Sequence, residues 1–291
     1  MVILMLLMTA WPTFAEETDG EGQTEEVVIT SGKFGPTSTW NYDEETETLY
    51  IEGTGASFED TGYPWNWQDI WPRKAVIGEG ITSIGDSAFE KCKVLTGARI
   101  PAGVQYIGYS AFENCSDLKT LKLPEGTGKS GEGIVLEKRI FENCSSLKSV
   151  TIPANIRDIP QDMFSGCKRL SRITCRKPLD SIGPYAFEGC PIRKIMPTTS
   201  KYKLIDTGTY NKCKKLNNVK VPSSVKEISY IAFGECKSLR TITIPASVKV
   251  IDDQTFAQGS RDVANVRTIR GAAGSKAQKY AKKHHLRFVK L

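Results

Sequence analysis

Histidine is almost absent from this chain of 291 residues, which contains only His284 and His285. Histidine is the commonest acid–base group near neutral pH and a frequent zinc ligand. Close Cys-x-x-Cys pairs, the other usual sign of a zinc site, are also missing. No motif assembles a nucleophile or an acid–base pair in one pocket. The sequence therefore predicts no metal, no cofactor and no enzymatic activity, and we interpret both histidines as surface residues.

Long hydrophobic runs are missing after the first fifteen residues. Val2–Met8 is almost entirely apolar, and Pro12-Thr-Phe-Ala15 after it resembles a signal-peptidase site. The run is shorter than the roughly 20 apolar residues that a membrane span needs. We predict a signal peptide with cleavage after Ala15 and no membrane span, although the basic residues that usually precede such a run are missing. The mature chain is expected to be extracellular or on the cell surface.

Acidic residues are scarce in most of the chain. Residues 16–90 hold 17 acidic and 3 basic side chains, whereas residues 91–291 hold 16 acidic and 36 basic ones. A basic surface of this kind can attract polyanions. The alternative is a solvated lysine-rich face that supports solubility and binds nothing. Nucleic acid is not expected as a partner, because the chain is predicted to be exported.

The eight cysteines are spaced regularly along the chain. Leaving out Cys175, the intervals are 23, 29, 23, 23, 23 and 23 residues between Cys92, Cys115, Cys144, Cys167, Cys190, Cys213 and Cys236. An aromatic residue lies three positions before each of these seven: Phe89, Phe112, Phe141, Phe164, Phe187, Tyr210 and Phe233. Leucine lies three positions after six of them, and proline nine positions after five. A fixed period of roughly 20–50 residues predicts a solenoid whose neighbouring coils bury a shared core.

Within each coil, apolar and polar residues alternate as in a short strand. Leu147–Pro153 shows the pattern, and its proline ends the strand because it has no amide proton to donate. Neighbouring strands are expected to pair in parallel, about 4.8 Å apart. Gly108–Cys115 and its equivalents predict a short helical turn on the return side. The stacked cysteines are predicted to be reduced core residues, because parallel Cβ vectors fit disulfide geometry poorly. Cys175 occupies a core strand position.

The repeat Cys-Lys-Ser-Leu-Arg-Thr-Ile-Thr-Ile-Pro-Ala-Ser-Val-Lys-Val-Ile at Cys236–Ile251 resembles the BspA-like leucine-rich repeat of bacterial surface and secreted proteins. The resemblance extends from about Ile81 to Ile269. It implies an α/β fold, namely a right-handed leucine-rich repeat solenoid of 23-residue coils with a parallel β-sheet, a small β-rich N-terminal cap and a C-terminal capping helix. The expected divisions are a signal peptide at 1–15, the N-terminal cap at 16–75, the solenoid at 76–270 and the C-terminal cap at 271–291.

The residues themselves support both caps. Residues 40–42 and 49–51 alternate with a period of two on either side of an acidic turn, which predicts a hairpin. Ser275 is suited to cap a helix. That helix has an apolar stripe formed by Ala277, Tyr280 and Ala281.

Two further segments each allow a functional and a structural interpretation. Leu123–Ser130 resembles a phosphate-binding loop, but Leu123 replaces the first glycine of that motif and Pro124 removes an amide. We interpret the 29-residue interval around it as a glycine-rich surface loop, which could still contact a partner. Tyr63–Trp71 carries four aromatic rings that could stack on sugars. We favour packing between the N-terminal cap and the first coil.

The outward strand positions provide the candidate binding residues. They lie five and seven positions after six of the repeating cysteines and include no acid: Gly97, Arg99, Thr120, Lys122, Ser149, Thr151, Arg172, Thr174, Asn218, Lys220, Thr241 and Thr243. The residues predicted to bind a partner are Arg99, Lys122, Thr151, Arg172, Thr174, Lys220 and Thr243. A stacked sheet would align them on one surface. Threonine also favours strands by propensity alone, so the alternative is a surface without function.

Together these features predict a non-catalytic binding scaffold. The family resemblance implies adhesion to extracellular matrix or plasma proteins. The expected partner is a host or cell-surface macromolecule, either a protein or a glycan, acidic ones included. The alternative is a module that binds anionic polymers or glycans of the cell wall. We expect the chain to be a monomer.

Overall fold

The computed structural model describes residues 16–18, 24–26, 31–34, 37–57, 70–125, 134–195, 201–257 and 265–291. Three segments interpreted above lie outside the described residues: the signal peptide at 1–15, Tyr63–Trp67 of the aromatic segment, and 126–133 of the glycine-rich loop. The described chain forms a parallel β-solenoid of about nine turns, with coils of about 23 residues. The predicted solenoid fold is therefore confirmed.

The described residues contain short strands and one helix. The first strands are β1 (Glu16–Thr18), β2 (Thr24–Glu26), β3 (Ser31–Phe34), β4 (Ser38–Asp43), β5 (Thr48–Gly53), β6 (Gly55–Ser57), β7 (Lys74–Ile77) and β8 (Ile81–Ile84). The next are β9 (Gly97–Arg99), β10 (Tyr106–Ile107), β11 (Thr120–Lys122), β12 (Val135–Leu136), β13 (Ser149–Ile152), β14 (Asp158–Ile159), β15 (Arg172–Cys175) and β16 (Ser181–Ile182). The last are β17 (Leu204–Ile205), β18 (Asn218–Lys220), β19 (Glu227–Ile228), β20 (Thr241–Thr243), β21 (Val250–Ile251), β22 (Thr268–Gly271), α1 (Lys276–Lys283) and β23 (Arg287–Lys290).

The longer strands of successive coils form what we call the front sheet. Lys122 pairs with Arg99, and Thr241 pairs with Asn218, so paired residues are one 23-residue repeat apart. Hydrogen bonding orders the strands in three sections: β3-β4-β5-β7-β9-β11, β13-β15 and β18-β20-β22-β23. Among the described residues, no strand pairing joins one section to the next.

The shorter strands form a second set, which we call the side ladder. Its sections are β6-β8-β10-β12, β14-β16 and β17-β19-β21. Ile107 lies beside Ile84, and both are buried. Across the long interval, Tyr106 pairs with Val135, so an offset of 29 residues keeps the same register as the usual 23. The additional residues of this coil are therefore an insertion that leaves the stacking unchanged.

The return side of each coil is a series of turns. In the coil that ends at Cys115, Ser110 and Asn114 adopt left-handed φ values of 55° and 61°. The Phe112 N–H donates to the Ile140 carbonyl of the next coil at 2.9 Å. A helix would keep such amide bonds within its own coil. The predicted helical turn is therefore wrong, because these amides form a third line of hydrogen bonds between coils.

Aromatic rings form a continuous ladder inside the solenoid. Neighbouring rings are nearly parallel, with centroids 4.9–5.9 Å apart, in the order Phe89, Phe112, Phe141, Phe164, Phe187, Tyr210, Phe233 and Phe256. Tyr280 of α1 closes the C-terminal end with an edge-on contact to Phe256 at 5.8 Å. Each ring is almost fully buried, so the ladder removes a large apolar area from water in every coil.

The seven repeating cysteines lie beside the aromatic ladder and are buried, as predicted. Six of them donate a thiol hydrogen bond to an aromatic residue's carbonyl 26 or 32 positions earlier; for example, Cys115 donates to the Phe89 carbonyl at 3.0 Å. Burial raises the pKa of each ladder thiol, to about 12 at Cys236. Cys175 pairs in register with Ile152 and is only partly buried.

Both predicted caps contain the expected elements. β4 and β5 form an antiparallel hairpin in which Trp40 pairs with Ile51. β5 then pairs in parallel with β7, so the hairpin continues the front sheet without a break. β7 spans the expected boundary between residues 75 and 76. At the other end, the Ser275 side chain accepts a hydrogen bond from the Gln278 amide and begins α1, as predicted.

The histidine prediction is confirmed for only one of the two residues. His285 is exposed. The His284 side chain is only 8% exposed, because its ring stacks on Tyr280 with centroids 4.2 Å apart. A residue four positions after Tyr280 lies on the same helix face, and that face is the buried one. Among the described residues, no helix has the length and apolar character to cross a bilayer.

Candidate binding face

The outward side chains of the front sheet form two aligned rows. In the first row, five positions after each repeating cysteine, Arg172 lies beside Ser149. In the second row, seven positions after each cysteine, Lys122 lies beside Arg99. The remaining predicted residues also pair within the second row, Thr174 with Thr151 and Thr243 with Lys220. Inward apolar residues alternate with these positions, which fixes the direction in which each row points.

The structure brings the seven predicted residues together in three groups rather than in one continuous row. Arg99 and Lys122 belong to the first section of the front sheet. Thr151, Arg172 and Thr174 form the middle section, and Lys220 and Thr243 belong to the last. Six of the seven are exposed, and Thr243 is half-buried.

The basic residues of the rows differ in how their charge is balanced. Arg99 Nη2 donates to Glu79 Oε1 at 2.6 Å, and both side chains are 65% exposed. Solvent screens such an exposed pair, but it still neutralises part of the local positive charge. Lys122, Arg172 and Lys220 form no salt bridge with any described residue. These three side chains are therefore the free positive charges among the predicted set.

The rows continue beyond the predicted residues in both directions. Lys74 lies beside Gly97 in the first row. At the other end, Arg270 lies beside Thr243 in the second row, and Arg287 lies beside Thr268 in the first. The cysteine spacing could not reveal these residues, because their coils carry no repeating cysteine. The alternating stretch Val266–Gly271 was the signal that could have extended the rows.

The acidic residues of the front sheet are confined to its N-terminal hairpin. Glu52 lies on the outward side of β5, and Glu47 in the hairpin turn bonds the Arg73 guanidinium at 2.5 Å. From β7 to β23, the strands of the front sheet contain no Asp or Glu. The sheet therefore changes from acidic at the hairpin to basic and hydroxyl-rich along the coils.

The side ladder contains an open groove of about 820 Å³ beside β14, β16 and β17. Its charged side chains bond one another or the backbone. Arg157 pairs with Asp180 at 2.8 Å, Ser181 donates to Asp158 at 2.5 Å, and Asp206 accepts from the Thr207 amide at 2.7 Å. In the described stretches, no group of three or more His, Cys, Asp or Glu side chains is arranged to hold a metal ion. The groove thus offers no evident nucleophile with an adjacent base.

The repeat pattern connects this geometry to known proteins. The BspA type leucine rich repeat region matches residues 73–134 and 134–261, in six copies. The chain belongs to this family. The matched residues cover the coils that carry the aromatic ladder and both rows of the front sheet. No curated protein matches the sequence significantly.

Solved structures with a similar fold come from several bacteria. A leucine-rich repeat protein from Eubacterium ventriosum is 18% identical, with a TM-score of 0.50 over 84% of this chain and 72% of that one. A leucine rich cell surface protein from Faecalibacterium prausnitzii is 18% identical, with a TM-score of 0.30 over 94% and 98% of the two chains. The pneumococcal vaccine antigen PcpA is 14% identical, with a TM-score of 0.39 over 81% and 80%.

Proposed function

We propose that this protein is an exported, non-catalytic scaffold whose front sheet binds a host or cell-surface macromolecule. The observation that carries the proposal is the composition of the sheet from β7 to β23. Its outward rows hold lysine, arginine, serine and threonine, and its strands hold no acidic residue. An extended solenoid sheet offers such rows as a single recognition surface.

Charge is the property that best defines the partner. Lys122, Arg172 and Lys220 are exposed and carry no salt bridge with described residues, so they lose little by pairing with acidic groups. Complementary charge raises the rate of association and disfavours basic partners. The threonine hydroxyls between them add donors and acceptors that suit a protein or a glycan. We therefore favour an acidic protein or glycan surface as the partner.

The proposed location follows from the N-terminal residues and the family. Residues 1–15 have the apolar run and small-residue end of a signal peptide. Membership of the BspA type repeat family supports a place outside the cell or on its surface. We propose adhesion as the role, with the chain acting as a monomer.

A second candidate function has support from the same rows. Anionic polymers of the bacterial envelope carry repeated negative charges along a chain. A sheet with basic residues in successive coils presents positive charges at a comparable repeat. Binding to envelope polymers in preference to host proteins would favour this candidate over adhesion to a host.

The test is a charge reversal on the front sheet. The mature chain is first assayed on matrix proteins, mucins and purified envelope polymers. For the surface that binds, Lys122→Glu, Arg172→Glu and Lys220→Glu together should weaken binding at least tenfold near physiological salt. Wild-type binding should also fall as salt is raised, because exposed charges are screened.

The matched control reverses three exposed lysines of the side ladder, Lys203, Lys226 and Lys249. It changes the net charge by the same amount away from the front sheet. Binding that survives the control but not the front-sheet variant supports the proposal. An equal loss in both variants, or no loss in either, would show that the front sheet is not the recognition surface.

A further inference from the structure

We infer that the return side carries a separate binding pocket for a phosphate or sulfate group of a larger molecule. The pocket has a volume of about 540 Å³ and spans the coils around Cys167, Cys190 and Cys213. Its lining includes Lys168, Lys212, Lys214 and Lys215. None of these residues belongs to the outward rows of the front sheet, so this pocket and the proposed recognition surface can be tested independently.

The pocket exists because two successive coils lack a side chain at the same position. The residue just before each repeating cysteine has a left-handed backbone, and in five coils it carries a side chain: Lys91, Asn114, Asn143, Lys212 and Glu235. In the two coils between Asn143 and Lys212 it is glycine, Gly166 and Gly189, with φ of 72° and 73°. Two neighbouring gaps therefore form one depression in an otherwise filled row.

The two glycines contribute to the pocket differently. A Cβ placed on Gly166 would lie 2.1 Å from Asn143 Oδ1, so the Asn143 side chain already covers that glycine. A Cβ on Gly189 would meet nothing closer than 3.9 Å. Gly189 is therefore the open floor of the pocket, and a side chain there would fill the space that a ligand would use.

The charges around the floor are strongly unbalanced. Glu188 is the single acid in the lining, and its Oε1 accepts from Lys212 Nζ at 2.8 Å. That bond raises the pKa of Lys212, which stays protonated. Lys168, Lys214 and Lys215 are exposed and form no salt bridge with described residues. Four lysines and one glutamate leave a net charge of +3 around the pocket.

The donor chemistry favours a tetrahedral oxyanion. Lysine ammonium groups are compact point charges that approach an anion from several directions. The lining holds no arginine, whose planar fork would favour a carboxylate bound through both oxygens. Ser165 also lines the pocket and can donate from its hydroxyl. Because the pocket is open to solvent, the oxyanion can be attached to a polymer that continues across the surface.

Two variants remove the pocket without disturbing the coil stack. Gly189→Asn fills the floor, and asparagine is already accommodated at the same position with φ of 61° at Asn114 and 59° at Asn143. The second variant combines Lys168→Gln, Lys214→Gln and Lys215→Gln, which removes charge and keeps the side-chain length. The charge-matched control is Lys203→Gln, Lys226→Gln and Lys249→Gln on the side ladder.

Binding is measured by calorimetry on the whole mature chain with four polymers: dextran sulfate, inorganic polyphosphate, polyglutamate and neutral dextran. We expect dextran sulfate or polyphosphate to bind and neutral dextran not to bind. The three-lysine variant and Gly189→Asn should each bind at least tenfold more weakly, and the side-ladder control should match the wild type. For the three-lysine variant with polyphosphate, the slope of log affinity against log salt should fall by about two, because a single-stranded polyanion releases ~0.7 counterion per neutralised charge.

Several results would overturn the inference. An equal loss in the side-ladder control would mean that binding follows net charge only. Unchanged binding by Gly189→Asn would mean that the pocket floor is not used. Polyglutamate binding as tightly as both oxyanion polymers would assign the lysines to carboxylates. Neutralising Lys122, Arg172 and Lys220 should leave oxyanion binding intact, so a failure of the front-sheet proposal is distinguishable from a failure of this one.

Discussion

The aromatic ladder inside the solenoid and the two rows on the front sheet are built by the same coils, but they repeat with different strictness. Every ladder position from Phe89 to Phe256 is a phenylalanine or a tyrosine, with neighbouring centroids within 5.9 Å. The outward rows hold glycine, threonine, serine, asparagine, lysine, arginine and valine at equivalent places. Close packing constrains the interior to shapes that stack on their copies. The outward rows have no such constraint and can be adapted to a partner.

The largest expected effect comes from removing one ring in the middle of the ladder. Phe164 lies between Phe141 and Phe187, with centroids 5.8 Å away on both sides. Phe164→Ala should lower the free energy of unfolding by about 3–5 kcal/mol, because it opens a buried cavity that the coil stack cannot close. Urea denaturation followed by circular dichroism measures the change.

The matched substitution on the front sheet is Thr174→Ala, in the coil that follows Phe164. Thr174 is exposed, so its truncation should change the free energy of unfolding by about 0.5 kcal/mol or less. Similar losses for the two variants would break the distinction between a constrained interior and a permissive exterior.

A smaller effect separates two chemically identical changes on the return side. Gly166→Asn places a Cβ where Asn143 Oδ1 lies 2.1 Å away, whereas Gly189→Asn enters open space. We expect Gly166→Asn to cost about 1–3 kcal/mol of stability, as crowding does in packed sites. Gly189→Asn should be close to neutral, because asparagine already occupies the equivalent left-handed position at Asn114.

Thermal and urea unfolding of the two glycine variants, compared with the wild type, provide the measurement. A larger loss for Gly189→Asn than for Gly166→Asn would contradict the described geometry of the return side. It would also remove Gly189→Asn as a clean probe of the oxyanion pocket.

The stacking register was accessible from the sequence because its markers are buried. The interval of 23 residues between cysteines reappears as the register of strand pairing, for example between Lys122 and Arg99. The insertion of the long coil was visible in the same way, since its offset of 29 preserves the pairing of Tyr106 with Val135. A core position tolerates few residue types, so its period survives in the sequence.

The return side was not accessible for the opposite reason. Its left-handed positions are mostly occupied by residues such as Ser110, Arg139 and Ile231 rather than by glycine. Glycine is the usual sequence signal for a positive φ, so the backbone conformation left little trace. The oxyanion pocket was missed because it arises from side chains that are absent at Gly166 and Gly189. The stacking of His284 was missed although its spacing of four from Tyr280 was visible.

The central claim is that the repeating cysteines form one buried, reduced column, and thiol labelling tests it most directly. A chromogenic disulfide reagent is added to the native chain near pH 8 and again in denaturant. Thiolate is the reactive form, and burial raises the pKa of the ladder thiols far above that pH. We predict that none of the seven ladder thiols reacts in the native chain, that Cys175 with a pKa of about 11 is the single candidate for slow labelling, and that all eight react after unfolding. Rapid native labelling of several thiols in a Cys175→Ser variant, or fewer than eight reactive thiols after unfolding without reductant, would contradict the account.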